Sequence, residues 1–361
     1  VVDGFWFQGD ALLMLDSGNR FTALDLDSGK VLWVADPPFG GAYGASVVLF
    51  ADRAILGTEA ATWAVSLADG RILWTFAGLG LPRTSYHDLV AVVEPEFESG
   101  NLVHRSGIRF LSAANGEERG RFGFGGAPNE TLVHSAKAYG DCLVLQGNYL
   151  SGTSLNGDAC QWQQGEPYGF AQNVHYGQDA IYTDADYPEE GVWRLEPAAG
   201  EPQLVTRSPF PDERVSIVRQ YAKNGDRLYI ASTGRARGDL DVPDTILQAI
   251  DGAAHEAWKT AMARDTVVFR LAAGQDLVVG QGFRLLDSSG EDGRPEHADV
   301  LISWDAKDGR ELWRWETRQI QTFALAGDTI AVSWFDGDNV NGMTIDATTG
   351  EAPLGLSPGR A

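Results

Sequence analysis

The chain of 361 residues has 28 lysines and arginines against 50 aspartates and glutamates, a formal net charge of −22 at pH 7. That surplus argues against DNA, RNA or an anionic membrane surface as partner, and a 43% hydrophobic composition excludes a disordered chain. Two cysteines make neither a disulfide framework nor a four-thiolate zinc site, and no apolar run reaches the roughly 18–20 residues of a membrane span.

In chain order, short apolar runs recur in groups. Asp10 introduces Ala11–Leu15, and Ala23–Trp33 alternates up to Asp25, turns through Ser28-Gly29 and ends in Trp33. Ser46–Phe50 and Ala54–Leu56 (after Asp52) lead to a second copy, Ala64–Trp74, turning at Gly70. Leu111–Glu117 turns at Gly116, and Ser154–Gly157, downstream of Asp141 and Leu143–Leu145, precedes Trp162. Asp179 precedes Ala180–Tyr182, and Trp193–Glu201 turns at Gly200. Val215–Val218 and Leu228–Ile230 (after Asp226) precede Ala249–Trp258, a copy one residue shorter that has lost its turn glycine. Leu277–Val279 (after Asp276) leads to Ser303–Trp313, turning at Gly309. Finally Thr329–Val332 (after Asp328) leads to Thr344–Leu354, which ends in leucine where the others have tryptophan.

Each unit reads as a β-hairpin preceded by two further strands: alternation, a polar turn with glycine, then a strand ending in tryptophan. Four-stranded units repeating every 40–50 residues specify an all-β chain, an eight-bladed β-propeller of four-stranded antiparallel blades. Seven blades is the alternative, with one loose copy absorbed as an insertion. The expected organisation is one domain over 1–361, with blades near 1–37, 38–79, 80–125, 126–165, 166–208, 209–263, 264–318 and 319–361.

The pattern Ala-x-Asp-x-x-Ser/Thr-Gly-x-x-x-Trp resembles the PQQ-like repeat of quinoprotein-type propellers. The resemblance implies an eight-bladed ring in which the tryptophan docks between blades, here Trp33, Trp74, Trp258 and Trp313, with Trp162 as a fifth. Gly120 and Leu354 depart from the pattern in blades three and eight. Catalytic quinoprotein alcohol dehydrogenases of this family are longer, carry adjacent cysteines and hold PQQ with calcium. Here Cys142 and Cys160 stand apart, so the chain is more similar to the non-catalytic branch, which includes the outer-membrane assembly lipoprotein. No PQQ is expected.

Site candidates follow from propeller geometry. Inner strands line the channel, and aligning on the aspartate that opens each second strand selects Arg83, His134, His175, Arg219, Arg270 and Gln321. Arginine and histidine suit an anionic or hydroxylated ligand, although a wet channel wall needs polar residues anyway. Three long second-to-third connections, Glu94–Gly107, Ser232–Thr245 and Gln281–Asp299, form a rim where function could sit. No metal is expected. The six histidines lack metal spacing, and the calcium-like run Phe335–Gly342 has Val340 where an EF-hand needs oxygen, which favours turn chemistry, with calcium as the alternative. No nucleophile elbow or phosphate loop is present.

Cys142 opens the second strand of blade four. A chain turning near residue 151 would bring Cys160 opposite it as a disulfide. A turn at Asn156-Gly157, which the repeat favours, would leave the pair two strands and about 9–10 Å apart as free thiols. The function expected is a non-enzymatic scaffold binding a protein or cell-envelope ligand, with a small molecule in the channel as a further option, no nucleic acid and no membrane insertion. An enzyme (lyase, hydrolase or oxidoreductase) on the loop rim, and a sensor domain of a larger membrane protein, are the alternatives. An extracytoplasmic location is implied by the family, with any signal or anchor lying upstream of Val1.

Overall fold

A computed structural model describes residues 2–16, 18–26, 28–38, 46–58, 61–78, 80–98, 101–123, 135–147, 150–154, 160–164, 174–177, 179–185, 191–207, 209–210, 214–236, 244–262, 265–289, 295–317, 320–336 and 339–351. Every regular element among them is a β-strand. The first sheet orders β1 (Val2–Gln8), β2 (Ala11–Asp16), β3 (Phe21–Asp25) and β4 (Val31–Ala35). The second holds β5 (Ser46–Leu49), β6 (Arg53–Gly57), β7 (Ala61–Ser66) and β8 (Ile72–Ala77). The third holds β9 (Leu81–Tyr86), β10 (Leu89–Glu98), β11 (Asn101–Ser112) and β12 (Glu118–Gly123). The fourth holds β13 (Ser135–Tyr139), β14 (Cys142–Gln146), β15 (Leu150–Thr153) and β16 (Trp162–Gln164).

The fifth sheet is β17 (Val174–Tyr176), β18 (Ile181–Ala185), β19 (Gly191–Leu195) and β20 (Pro202–Arg207). The sixth is β21 (Arg214–Asn224), β22 (Arg227–Ala236), β23 (Asp244–Ile250) and β24 (Glu256–Ala261). The seventh is β25 (Thr266–Ala273), β26 (Leu277–Ser289), β27 (Pro295–Asp305) and β28 (Glu311–Thr317). The eighth shows β29 (Ile320–Ala326), β30 (Thr329–Asp336) and β31 (Asn339–Asp346) among the described residues. In each sheet the strands follow chain order, as blades of an eight-bladed β-propeller do. The chain divides into two compact units, one of Val1, Trp6–Ala185 and Arg194–Gln203, the other of Val2–Phe5, Asp186–Trp193 and Leu204–Ala361.

The expected long loops are mostly strand. β10 stays paired with β11 out to Glu98 and Asn101, and β26 with β27 out to Ser289 and Pro295, each past a bulge. β22 and β23 pair out to Gly234 and Asp244. A ladder that continues satisfies each backbone N–H and C=O, which an irregular loop would leave to water. In the oxygen-rich run at Phe335–Gly342, β30 and β31 pair so that Asp336 stands opposite Asn339.

Within each unit, sheets are joined by one repeated contact. Trp33 Nε1 donates to Leu67 O at 3.0 Å, Trp74 to Ala113 O at 2.9 Å and Trp162 to Pro197 O at 2.8 Å. Trp258 does the same to Ala306 O at 2.9 Å and Trp313 to Ala347 O at 2.8 Å. Each acceptor lies three residues before the next sheet's turn glycine, and the indole lies on that glycine. Gly116 has φ +73, and a Cβ there would stand 2.5 Å from Trp74 Cε3; at Gly309, φ +74, it would stand 2.5 Å from Trp258 Cε3. Glycine is therefore required both for the left-handed turn and for the ring's approach. Across the ladder the tryptophans face small residues: Ala23, Ala64, Gly152, Ala249 and Ser303.

The third sheet, which lacks the tryptophan, obeys the same volume rule. In the third sheet Gly120 stands at the tryptophan position, and the residue opposite it is Phe110, buried against Tyr86. Tyr86 Oη then donates to Asp141 O of the fourth sheet, and His87 pairs with the Asp141 carboxylate at 2.9 Å.

Gly140 tests the two requirements separately, because it has φ +57 and open space around its Cα. Gly140→Ala should cost about 1 kcal/mol from the left-handed backbone alone. Gly116→Ala should approach the loss of about 3–5 kcal/mol expected for Trp74→Ala. Guanidinium unfolding of the three variants checks this; equal costs for the two glycines would contradict it.

Candidate functional site

Five of the six residues expected along the channel lie on first strands: Arg83 on β9, His175 on β17, Arg219 on β21, Arg270 on β25 and Gln321 on β29. His134 lies outside the described residues. The registers spread the five over several levels. His175 stands opposite Tyr182, Arg270 opposite Gln281 and Arg219 opposite Ser232, respectively the third, fifth and sixth residues after the aspartate that opens the second strand. Arg83 and Gln321 fall in bulges, between Pro82 and Thr84 and between Ile320 and Thr322. Each bulge adds one residue to the first strand, so counting back from the second-strand aspartate does not mark a common level.

Their surroundings differ as well. Arg219 is 2% exposed. Arg270 donates to Thr322 Oγ1 and sits over the Phe323 ring at 5.9 Å; burial pushes its guanidinium below its ordinary value. Its ladder neighbour Gln281 is 1% exposed and donates from Nε2 to Ile320 O at 3.1 Å. His175 lies beside Tyr182, with ring centroids 6.4 Å apart. On the fourth and fifth sheets, Ser135 Oγ donates to Gln146 Oε1 at 2.6 Å and meets Tyr176 Oη at 2.8 Å. Burial holds the Tyr139 and Tyr176 phenols far above their ordinary value of 10.0, so neither ionises near neutral pH.

The cysteines are joined. Cys142 and Cys160 form a disulfide with Cα atoms 5.6 Å apart, correcting the free-thiol expectation. β15 ends at Thr153 and β16 starts at Trp162, so Cys160 lies outside the ladder, and the two-strand spacing that would separate the pair does not apply to it.

The disulfide occupies a position with a counterpart in other sheets. Cys142 follows Asp141 as Arg53 follows Asp52 and Arg227 follows Asp226. Arg53 Nη1 donates to Ala113 O at 2.9 Å, and Arg227 Nη1 to Ala306 O at 2.8 Å, the same carbonyls that take Trp74 and Trp258. Asp52 grips Arg53 through both oxygens, an arrangement that lowers the carboxyl's pKa. Sequence reasoning noted the aspartates and passed over the arginines; the Asp-Arg pair opening a second strand was the available signal.

Among the described residues no three histidine, cysteine, aspartate or glutamate side chains gather to hold a metal. The adjacent cysteine pair of the dehydrogenase branch has no equivalent in Cys142 and Cys160, which are 18 residues apart and bonded to each other.

Residues 3–206 match the PQQ_2 family, described as "Outer membrane protein assembly factor BamB". The chain belongs to this family. No curated protein matches it in sequence. Among solved structures it is similar to the computationally designed Ika8 protein, with a TM-score of 0.61 at 10% identity over 97% of this chain and 94% of that one. It is similar to BamB from Moraxella catarrhalis, with a TM-score of 0.55 at 12% identity over 92% and 90%. It also resembles the quinohemoprotein alcohol dehydrogenase ADHIIG from Pseudomonas putida HK5, with a TM-score of 0.56 at 12% identity over 91% of this chain and 69% of that one. At such identities the likeness is one of fold, and a BamB-family propeller shares it with enzymes.

Replacing both cysteines by serine should remove about 3 kcal/mol, the entropic contribution of a loop of this size. Thermal melts of the double variant and of reduced wild-type protein should fall together. Unchanged melting in both would contradict a formed disulfide.

Proposed function

We propose that the chain is a non-catalytic, extracytoplasmic scaffold that binds a protein of the cell envelope. Membership of a family described as an outer membrane protein assembly factor carries the reading. The disulfide supports the location, because such bonds persist in oxidising compartments and are rare in the cytosol. The negative charge supports a protein partner over nucleic acid or an anionic lipid surface. The repeat's distinctive residues, the tryptophans and turn glycines, hold sheet to sheet, which leaves the hairpin rims as the surface for a partner. In this reading no quinone is bound and no reaction is catalysed.

The test is deletion of the gene in its own host, followed by complementation. Loss of the chain should lower the amounts of assembled outer-membrane proteins, and thiol labelling in intact cells should find Cys142 and Cys160 oxidised. Turnover of alcohols or sugars on addition of PQQ and calcium, or fully reduced cysteines in cells, would overturn the proposal.

A further inference from the structure

We propose that Arg83 anchors a binding site for a monovalent carboxylate on the first strand of the third sheet. Other arginines in the same unit show how a structural guanidinium is treated. Arg53 is gripped by Asp52 and spans to Ala113 O. Arg109 is paired with Glu118 and lies over the Phe76 ring at 4.6 Å. Arg20 pairs with Asp36 at 3.0 Å. Arg83 makes no hydrogen bond or ion pair with any described residue, and its Nε is fully buried without an acceptor. A buried N–H without a partner is costly. With 50 acidic residues in the chain, a missing counter-ion is a property of this position and not of the composition.

The backbone supports the same reading. The β9–β10 register shifts between Thr84, opposite Ala91, and Pro82, opposite Val92, so Arg83 is the extra residue of a bulge. Bulges re-aim a side chain and are common beside binding sites. The flanking Thr84 is committed elsewhere, accepting from Ala138 N at 3.3 Å and donating to Ser85 O at 3.2 Å. Burial also lowers the guanidinium's pKa, as expected for a charge withdrawn from water without compensation.

The planar guanidinium fork matches a carboxylate bidentately. A chain of net charge −22 penalises a polyanion more than a single negative charge, which favours a carboxylate over a phosphate dianion. Sugar acids and peptide ends both carry that group, and the probes separate them.

Titration calorimetry at low salt, with glucuronate, N-acetyl-glycyl-glycine and the amide of that dipeptide, tests the site. At least one carboxylate should bind wild-type protein and Arg20→Gln alike, at least tenfold more tightly than the amide. Arg83→Gln should weaken it tenfold or more, and Arg83→Lys, which loses the fork, several-fold. Which carboxylate binds better identifies a sugar acid or a chain end as the source. A fold-supporting arginine would lower the melting temperature when removed; unliganded Arg83→Met should melt no lower than wild type. Carboxylates binding no better than the amide, Arg83→Gln binding like wild type, or a destabilised Arg83→Met would each overturn the proposal.

Discussion

An indole ring lies against a peptide turn only where the turn presents no β-carbon to it. Five times among the described residues a tryptophan near the end of one sheet rests on a left-handed glycine of the next. Its N–H goes to the carbonyl three residues earlier. That carbonyl is itself held. Ala113, for example, donates its N–H to Asp88 O inside its own sheet while accepting from Trp74. Each contact therefore links the ladder of one sheet to the turn of the next, and burial of the ring adds to the hydrogen bond.

This constraint explains which parts of the chain could be read from sequence. The tryptophans and turn glycines recur because each needs the other, so their spacing revealed the repeat and hence the fold. The sixth sheet shows the limit of the pattern. Its turn carries Gly252, but the left-handed position falls on Ala254 at φ 63, while the fifth sheet's outer strand β20 has no tryptophan. Partner positions were also legible afterwards: small residues opposite each tryptophan, and Phe110 opposite Gly120.

What sequence could not supply was register and departure from regularity. The bulges at Arg83 and Gln321 each insert a residue that no spacing argument detects. The disulfide depends on Cys160 having left the ladder, a local event with no periodic signature. Long hairpins read as loops because polar residues interrupt their alternation, whereas ladder hydrogen bonds depend on the backbone and not on side-chain polarity. The proposed carboxylate anchor, Arg83, sits at one of these irregularities. The seams spend tryptophan, glycine and paired arginine on cohesion, and the inner-strand bulge spends an arginine on nothing within the described structure.

The central claim is that indole and glycine act as one unit, and a double-mutant cycle on Trp258 and Gly309 tests it most directly. With the ring in place, Gly309→Ala must overcome both a left-handed backbone and a steric collision; in a Trp258→Ala background only the backbone penalty remains. The account predicts that the double variant is more stable than the sum of the single losses implies, by more than about 1 kcal/mol. Strictly additive losses would contradict it.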